Sequence, residues 1–380
     1  MIEFADRLKN VEEYYFSKKL REVALLKSLG RPIINLGIGS PDLQPPERVL
    51  NAMVETFEDS VAHKYQSYVG IPELREAIAN FYRQRYEVSL SPLTNVLPLT
   101  GSKEGILHIS MAFLNPGDTA LIPNPGYPTY SSVTKLVGAK PLYYDLKEEN
   151  NWHPDFNTLE KQNLENVKIM WVNYPHMPTG ATASNKLFSN LIAFARRHKI
   201  LLVNDNPYSF VLNQFPRSIL KYRGANDVCL ELNSLSKTFN MAGWRVGMLV
   251  GNQEFIKSVL KVKSNMDSGM FLGIQKGAIE ALKCTDVWFE SLNSVYRERR
   301  AIAWKIAEKL KCTYDQNATG MFIWAKLPDY IDAEEYIDLI LKERSIFITP
   351  GTIFGSNGKG YIRISLCADS DELEEALARL

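Results

Sequence analysis

Lys237 stands in Ser234-Leu-Ser-Lys-Thr-Phe-Asn-Met-Ala-Gly-Trp-Arg245, with hydroxyls three and one residues before it and an arginine eight residues after. An amine so placed can capture a phosphorylated aldehyde covalently, and the hydroxyls with Arg245 can clamp the phosphate. Asp205 and Tyr208, in Asp205-Asn-Pro-Tyr208, follow an apolar run over 200–204. That puts both side chains at the carboxyl end of a strand, where open α/β sheets bind ligands; read alone, Asp-Asn-Pro is an ordinary strand-ending turn. Thr100-Gly-Ser-Lys-Glu-Gly105 opens an amphipathic segment, so free backbone N–H groups and the Ser102 hydroxyl would face an anion there, with no need of the Lys103 side chain. Arg363 lies between isoleucines in Tyr361-Ile-Arg-Ile-Ser365. Such an arginine needs a partner, either a bound carboxylate or a structural acid.

Together, from about residue 32 to 370, these stretches resemble the class I and II aminotransferases, enzymes that use pyridoxal 5'-phosphate on the fold type I scaffold. The resemblance implies a Schiff base at Lys237 and a phosphate site of Gly101, Ser102, Lys103, Ser234, Ser236 and Arg245. It pairs Asp205 with the cofactor's ring nitrogen and Tyr208 with its phenolic oxygen. Pro123-Asn-Pro-Gly-Tyr-Pro128 is similar to the loop whose aromatic residue covers the ring, here Tyr127, and Pro125 and Pro178 are candidate cis prolines. The segment from Lys64 to Arg75 is similar to one in which a tyrosine, here Tyr65, reaches the phosphate of a partner subunit, which implies a homodimer with shared sites. Arg363 would fork onto the substrate α-carboxylate, with Gly39 and Ile38 approaching the substrate.

One position departs from the family pattern. The residue before Pro-Thr-Gly is usually an asparagine that donates to the phenolic oxygen, and in Asn173-Tyr-Pro-His-Met-Pro-Thr-Gly180 it is Met177. A thioether cannot donate that bond. His176 is a possible substitute, although a plain turn role suits it better.

The implied activity is ping-pong transfer of an amino group from an L-amino acid to a 2-oxo acid. A cysteine-conjugate (C–S) β-lyase shares the same Lys, Asp, Tyr and Arg, and a weakly active binding or regulatory protein could keep the pocket. The segment Lys261-Val-Lys-Ser-Asn-Met-Asp-Ser-Gly-Met270 has no arginine, unlike dicarboxylate-specific relatives, and is similar to the diaminopimelate and broad-specificity branch. Neutral, aromatic and sulfur-containing donors stay open.

The elements that must hold these residues follow from periodicity. Helices are expected over 11–29, 72–86, 102–114, 184–198, 253–263, 286–311 and 333–342, with a final helix after 366. Strands are expected over 119–123, 168–173, 200–204, 228–232 and 245–251, then 320–327, 346–349 and 360–366. Alternation of the first five strands with helices predicts an α/β domain whose mostly parallel sheet is covered on both faces. The expected organisation is an arm, 1–44, belonging partly to a small domain; a large cofactor-binding domain, 45–275; and a smaller α+β domain, 276–380. With 380 residues there is room for two domains and a cleft. The 44 basic and 43 acidic side chains nearly cancel, which disfavours nucleic-acid and membrane partners. The amino terminus carries no signal-peptide pattern and no apolar run is long enough to span a bilayer, so a cytoplasmic enzyme is expected. Cys229, Cys284, Cys312 and Cys367 have no metal-ligand spacing; buried free thiols and no metal are expected.

Overall fold

The computed structural model describes residues 2–380. Its main sheet has seven strands in the spatial order Val96–Leu99, Gly247–Gly251, Cys229–Ser234, Leu201–Asp205, Val167–Val172, Thr119–Asn124 and Lys140–Asp145. The last five are mutually parallel, and Gly247–Gly251 runs antiparallel to both its neighbours. Side chains alternate between two cores, as the two-residue strand period demands. Leu201 and Val203 pack with Ile106 and Val259 on one face, while Leu202 and Met170 pack with Leu187 and Leu191 on the other. The fold is therefore the α/β arrangement expected, with helices on both faces.

Two strands of this sheet, Val96–Leu99 and Lys140–Asp145, escape the sequence reading, as do the helices Glu47–Thr56, Pro128–Leu136 and Leu272–Leu282. Val96–Leu99 contains Pro98, and Lys140–Asp145 is a half-exposed edge strand with mixed polarity. Neither has the clean alternation that marks a strand in sequence. Expected strand 346–349 divides into Ile346–Phe347 and Thr349–Pro350, which belong to different sheets.

A second sheet of four strands, ordered Thr349–Pro350, Tyr361–Ser365, Phe322–Lys326 and Thr313–Tyr314, lies in the carboxyl-terminal part, flanked by Asp286–Lys309 and Ser370–Arg379. Ile34–Asn35 of the arm pairs parallel with Ile346–Phe347. The arm is also fastened by Arg299 of helix Asp286–Lys309, which donates through both terminal nitrogens to Asp42 at 2.7 Å each and to the Leu366 carbonyl at 3.2 Å. Arg299 is buried, so this bidentate pair fixes the 36–42 loop against the end of the strand that carries Arg363. All four cysteines are free and buried. Among the described residues no helix is long and apolar enough to cross a membrane.

Candidate active site

At the carboxyl ends of the parallel strands, a cavity of ≈ 470 Å³ opens between the main sheet, the 38–39 loop and the four-stranded sheet. Each strand delivers a wall residue where it stops. Thr119–Asn124 leads to Tyr127, Val167–Val172 to Asn173 and Met177, Leu201–Asp205 ends on Asp205, and Cys229–Ser234 runs into the short helix that bears Lys237.

The anion end is built from two helix starts. Ser102 and Lys103 begin the helix Ser102–Phe113, and Gly101 before it has φ +87°. A Cβ at Gly101 would collide with the Arg245 guanidinium, so only glycine allows the loop and the cation to meet. Arg245 itself sits at φ +57° just before Gly247–Gly251 and not inside that strand as expected from sequence, its Nη1 donating to the Ala242 carbonyl at 2.9 Å. Ser234 caps the lysine helix: its Oγ accepts from the Ser236 N–H at 3.1 Å and lies 2.9 Å from Ser236 Oγ.

Lys237 Nζ donates to the Gly39 carbonyl and has no acidic partner among the described residues. Burial, helped by the nearby Arg363 and Arg245 charges, pushes its pKa down to about 8. Asp205 is buried, and the Tyr130 hydroxyl donates to its Oδ2 at 2.9 Å while Oδ1 has no partner among the described residues. Burial pushes the carboxyl up to about 7, against the lowering effect of Tyr130. Tyr130 is held in turn by stacking on Trp171, with centroids 5.0 Å apart and planes within 8°. A buried carboxylate with one idle oxygen needs a cation or donor that the polypeptide does not supply.

Opposite lies Arg363, buried, its Nη2 donating to the Gly37 carbonyl at 2.7 Å and its Nη1 lying 3.3 Å from Met177 Sδ. Its Nε has no partner among the described residues. Burial lowers its pKa to about 10 and leaves it charged at neutral pH. Met177 is anchored by its own N–H on Asn173 Oδ1 at 2.8 Å.

The sequence-derived residues thus share one cavity: Gly39, Ile38, Ser102, Lys103, Tyr127, Met177, Asp205, Tyr208, Ser234, Ser236, Lys237, Arg245 and Arg363 all line it, with Gly101 against Arg245. Tyr65 does not; it is 91% exposed on the surface of this chain. His176 also lies outside, its Nδ1 2.8 Å from Thr179 Oγ1 and its pKa pushed to about 3 by burial, so it takes the plain turn role. The peptides before Pro125 and Pro178 are cis, as is that before Pro175, which the sequence reading did not name.

Tyr14, Phe16, Tyr130, Asn173, Phe322 and Phe354 also line the cavity and were not singled out from sequence. Of these only Tyr130, three residues after Tyr127, carried a local signal. Outside the cavity, Glu104, His108 and Asp267 bring ligand-type atoms within 4.8 Å of one another. Lys263 already pairs there with Asp267 at 2.8 Å, and Glu104 accepts from the Thr100 N–H. The cluster braces the turn before Ser102.

Residues 31–380 match the family model described as aminotransferase class I and II. The chain is 41% identical over 380 residues to the LL-diaminopimelate aminotransferase of Nitratidesulfovibrio vulgaris strain Miyazaki F, covering 99% of this chain and 98% of that protein. It is 40% identical to the protein of the same name from Aquifex aeolicus, covering 100% and 99%. Apo-BacF from Bacillus subtilis superposes with a TM-score of 0.95 at 37% identity, covering 100% of this chain and 98% of that one.

Proposed function

Because this chain belongs to the class I and II aminotransferases and is a pyridoxal-phosphate-dependent transaminase, we propose that the cavity around Lys237 is where it moves an amino group from an L-amino acid to a 2-oxo acid. The observation that carries this reading is the opposition, across one cavity, of an acid-free lysine amine and a buried aspartate with an idle oxygen.

The residues fit pyridoxal phosphate. Ser102, Ser234, Ser236, Arg245 and the N–H groups after Gly101 would bind its phosphate, with Lys103 beside them. Asp205 Oδ1 would hold the proton on the ring nitrogen, Tyr130 fixing the carboxylate through Oδ2. Tyr127 would cover the ring and Tyr208 would donate to the phenolic oxygen. When bound, the cofactor supplies an electron sink that stabilises negative charge at the substrate Cα. Lys237 Nζ then takes the proton from Cα, a task suited to an amine whose pKa burial has brought near neutrality. Arg363 receives the α-carboxylate on the edge left open beside Met177, and Gly39 and Ile38 close over it. We also propose that residues 276–380 with the 1–44 arm form a small unit beside a large one of 45–275. A homodimer would place Tyr65 at the other subunit's phosphate, and the cytoplasm is the compartment we expect. Diaminopimelate, named in the relatives, is one candidate donor.

The half-reaction tests this. An amino acid alone, without oxo acid, is expected to bleach the absorbance of the loaded enzyme and release one equivalent of 2-oxo acid. Steady pyruvate release from cystathionine without an acceptor would instead mark a lyase.

Met177 gives a second prediction. Met177→Asn places an amide beside Arg363 and the cofactor's phenolic oxygen, where it stabilises the deprotonated oxygen. The absorbance titration of the loaded enzyme is expected to move down by about 1 pH unit, the size of one hydrogen bond of ~1.4 kcal/mol. An unchanged titration removes this position from the cofactor's surroundings.

A further inference from the structure

Resting on the transaminase reading above, we propose that Glu231, which does not line the cavity, is a positioning residue for the reaction: through Asn204 it fixes where Asp205 and the turn bearing Met177 stand. Glu231 lies in the middle of Cys229–Ser234, the strand that runs into the lysine helix, and is fully buried. Its neighbours Leu230 and Leu232 belong to an apolar core, and an acidic side chain there is costly unless donors surround it. Donors do. The Tyr82 hydroxyl donates to Oε1 at 3.0 Å, while Asn204 Nδ2 and the Ile219 N–H both donate to Oε2 at 3.0 Å. Burial pushes the carboxyl's pKa up, and these bonds, with one from Ser218, pull against it. They reach Glu231 from the helix Pro72–Tyr86, the strand Leu201–Asp205 and the helical turn Ile219–Lys221.

The carboxylate sets the direction of the Asn204 amide. Asn204 stands beside Glu231 in the parallel register and Asp205 beside Leu232, so the side chains of Asn204 and Asp205 point to opposite faces of the sheet. A carboxylate only accepts; it draws the NH2 end of Asn204 and turns the oxygen end away. That oxygen takes the Tyr174 N–H at 3.1 Å. Next to Tyr174, Asn173 Nδ2 donates to the Asp205 carbonyl, and Asn173 Oδ1 accepts the Met177 N–H at 2.8 Å. Asn173, Met177 and Asp205 all line the cavity.

Glu231, Asn204 and Tyr174 therefore cross-link the ends of three adjacent strands. Asp205 is held through its preceding residue by Glu231 and through its own carbonyl by Asn173. Tyr82, Asn173, Tyr174, Asn204 and Glu231 are all buried within the single chain, so the arrangement is complete in one protomer. A carboxylate at 231 thus acts on the cofactor site from the far face of the sheet, by holding the backbone that aims Asp205.

The test uses the full-length enzyme loaded with pyridoxal phosphate. It compares Glu231→Met, close in volume and unable to accept these bonds, with Glu231→Gln, whose carbonyl oxygen can take the place of Oε2. Glu231→Met is expected to weaken cofactor binding by about 10-fold or more and to lower kcat per bound cofactor by about 100-fold, the scale of a small misplacement at a reacting group. Glu231→Gln is expected to stay within about 3-fold of wild type in cofactor affinity, because the Asn204 amide keeps its direction.

Hydrogen exchange read by mass spectrometry on the cofactor-free protein supplies a readout independent of turnover. Glu231→Met is expected to speed exchange of the Tyr174 and Met177 amides by about 10-fold or more, with helix Asp286–Lys309 unchanged. A lower melting temperature with cofactor affinity or these amides unmoved makes Glu231 a core residue only and overturns the proposal, as does a Glu231→Gln variant as impaired as Glu231→Met. Should Glu231→Met not fold, Asn204→Ala carries the same expectations, since it removes the link and leaves Glu231 in place. If the wild-type protein takes up no pyridoxal phosphate, the transaminase reading fails, and the exchange of Tyr174 and Met177 alone decides whether Glu231 positions this turn.

Discussion

Lys237→Ala is expected to reduce transamination by about five to six orders of magnitude, the scale seen when a nucleophile that acts as a unit with its base is deleted. The size follows from one nitrogen having two tasks. In the proposed reading Nζ would hold the cofactor covalently and would then be the group placed to move the Cα proton. Among the described residues none beside it is placed as a second base: the carbonyl of Gly39 is its hydrogen-bond acceptor, burial holds Tyr208 and Cys367 protonated, and Asp205 is committed to Tyr130. Borohydride treatment of the loaded protein followed by peptide mass spectrometry supplies the chemical check, since the adduct should map to the peptide containing residue 237 and vanish in the variant. Near-UV circular dichroism establishes that the variant is folded. Retention of more than about 1% of wild-type turnover would place the reacting amine elsewhere.

Asp205→Asn is expected to lower kcat/KM by about 1000-fold, because an amide cannot hold a proton on the ring nitrogen as a carboxylate does. Its second signature needs no turnover. In the cofactor-free protein the Asp205 carboxyl is pushed up to about 7 by burial, above its value in the unfolded chain. Between the two values the native state binds the proton and the unfolded state does not, so the group's contribution to stability falls as pH rises. It is fully present below pH 4 and lost by about pH 7, a change on the order of 4 kcal/mol as an upper bound.

Wild-type apoprotein should therefore lose melting temperature relative to Asp205→Asn as pH is raised from 5 to 8. Binding of the cofactor should flatten that difference, since a cationic ring nitrogen at Oδ1 favours the charged carboxylate. A difference that is independent of pH in the apoprotein, or unaffected by the cofactor, would show that the idle oxygen does not face the ligand.

The chemistry-bearing stretches were legible because each is local. The hydroxyl-lysine-arginine segment, the Gly-Ser helix start and the strand-ending Asp205 declare themselves through spacings set by one turn or one strand end. The buried parallel strands were legible for the same reason, their apolar runs being the signature of a sheet covered on both faces. Edge strand Lys140–Asp145 and strand Val96–Leu99 were not, since what makes them strands is pairing with Thr119–Asn124 and Gly247–Gly251.

By itself the sequence determined that an aspartate and a tyrosine followed the end of one strand, that a lysine stood in a hydroxyl-rich segment after another, and that one arginine opened a strand and a second lay within one, in an α/β chain. Tertiary structure decided what each of them meets. It set Tyr130 on one oxygen of Asp205 and left the other free, and it brought Phe16 from the arm and Phe322 and Phe354 from the carboxyl-terminal part around Arg363. It also settled that His176 turns to Thr179 and away from the cavity. The Tyr130–Asp205, Phe16–Arg363 and Phe322–Arg363 contacts join residues tens to hundreds of positions apart, and such pairings are fixed by the packing of whole elements, which no local spacing encodes.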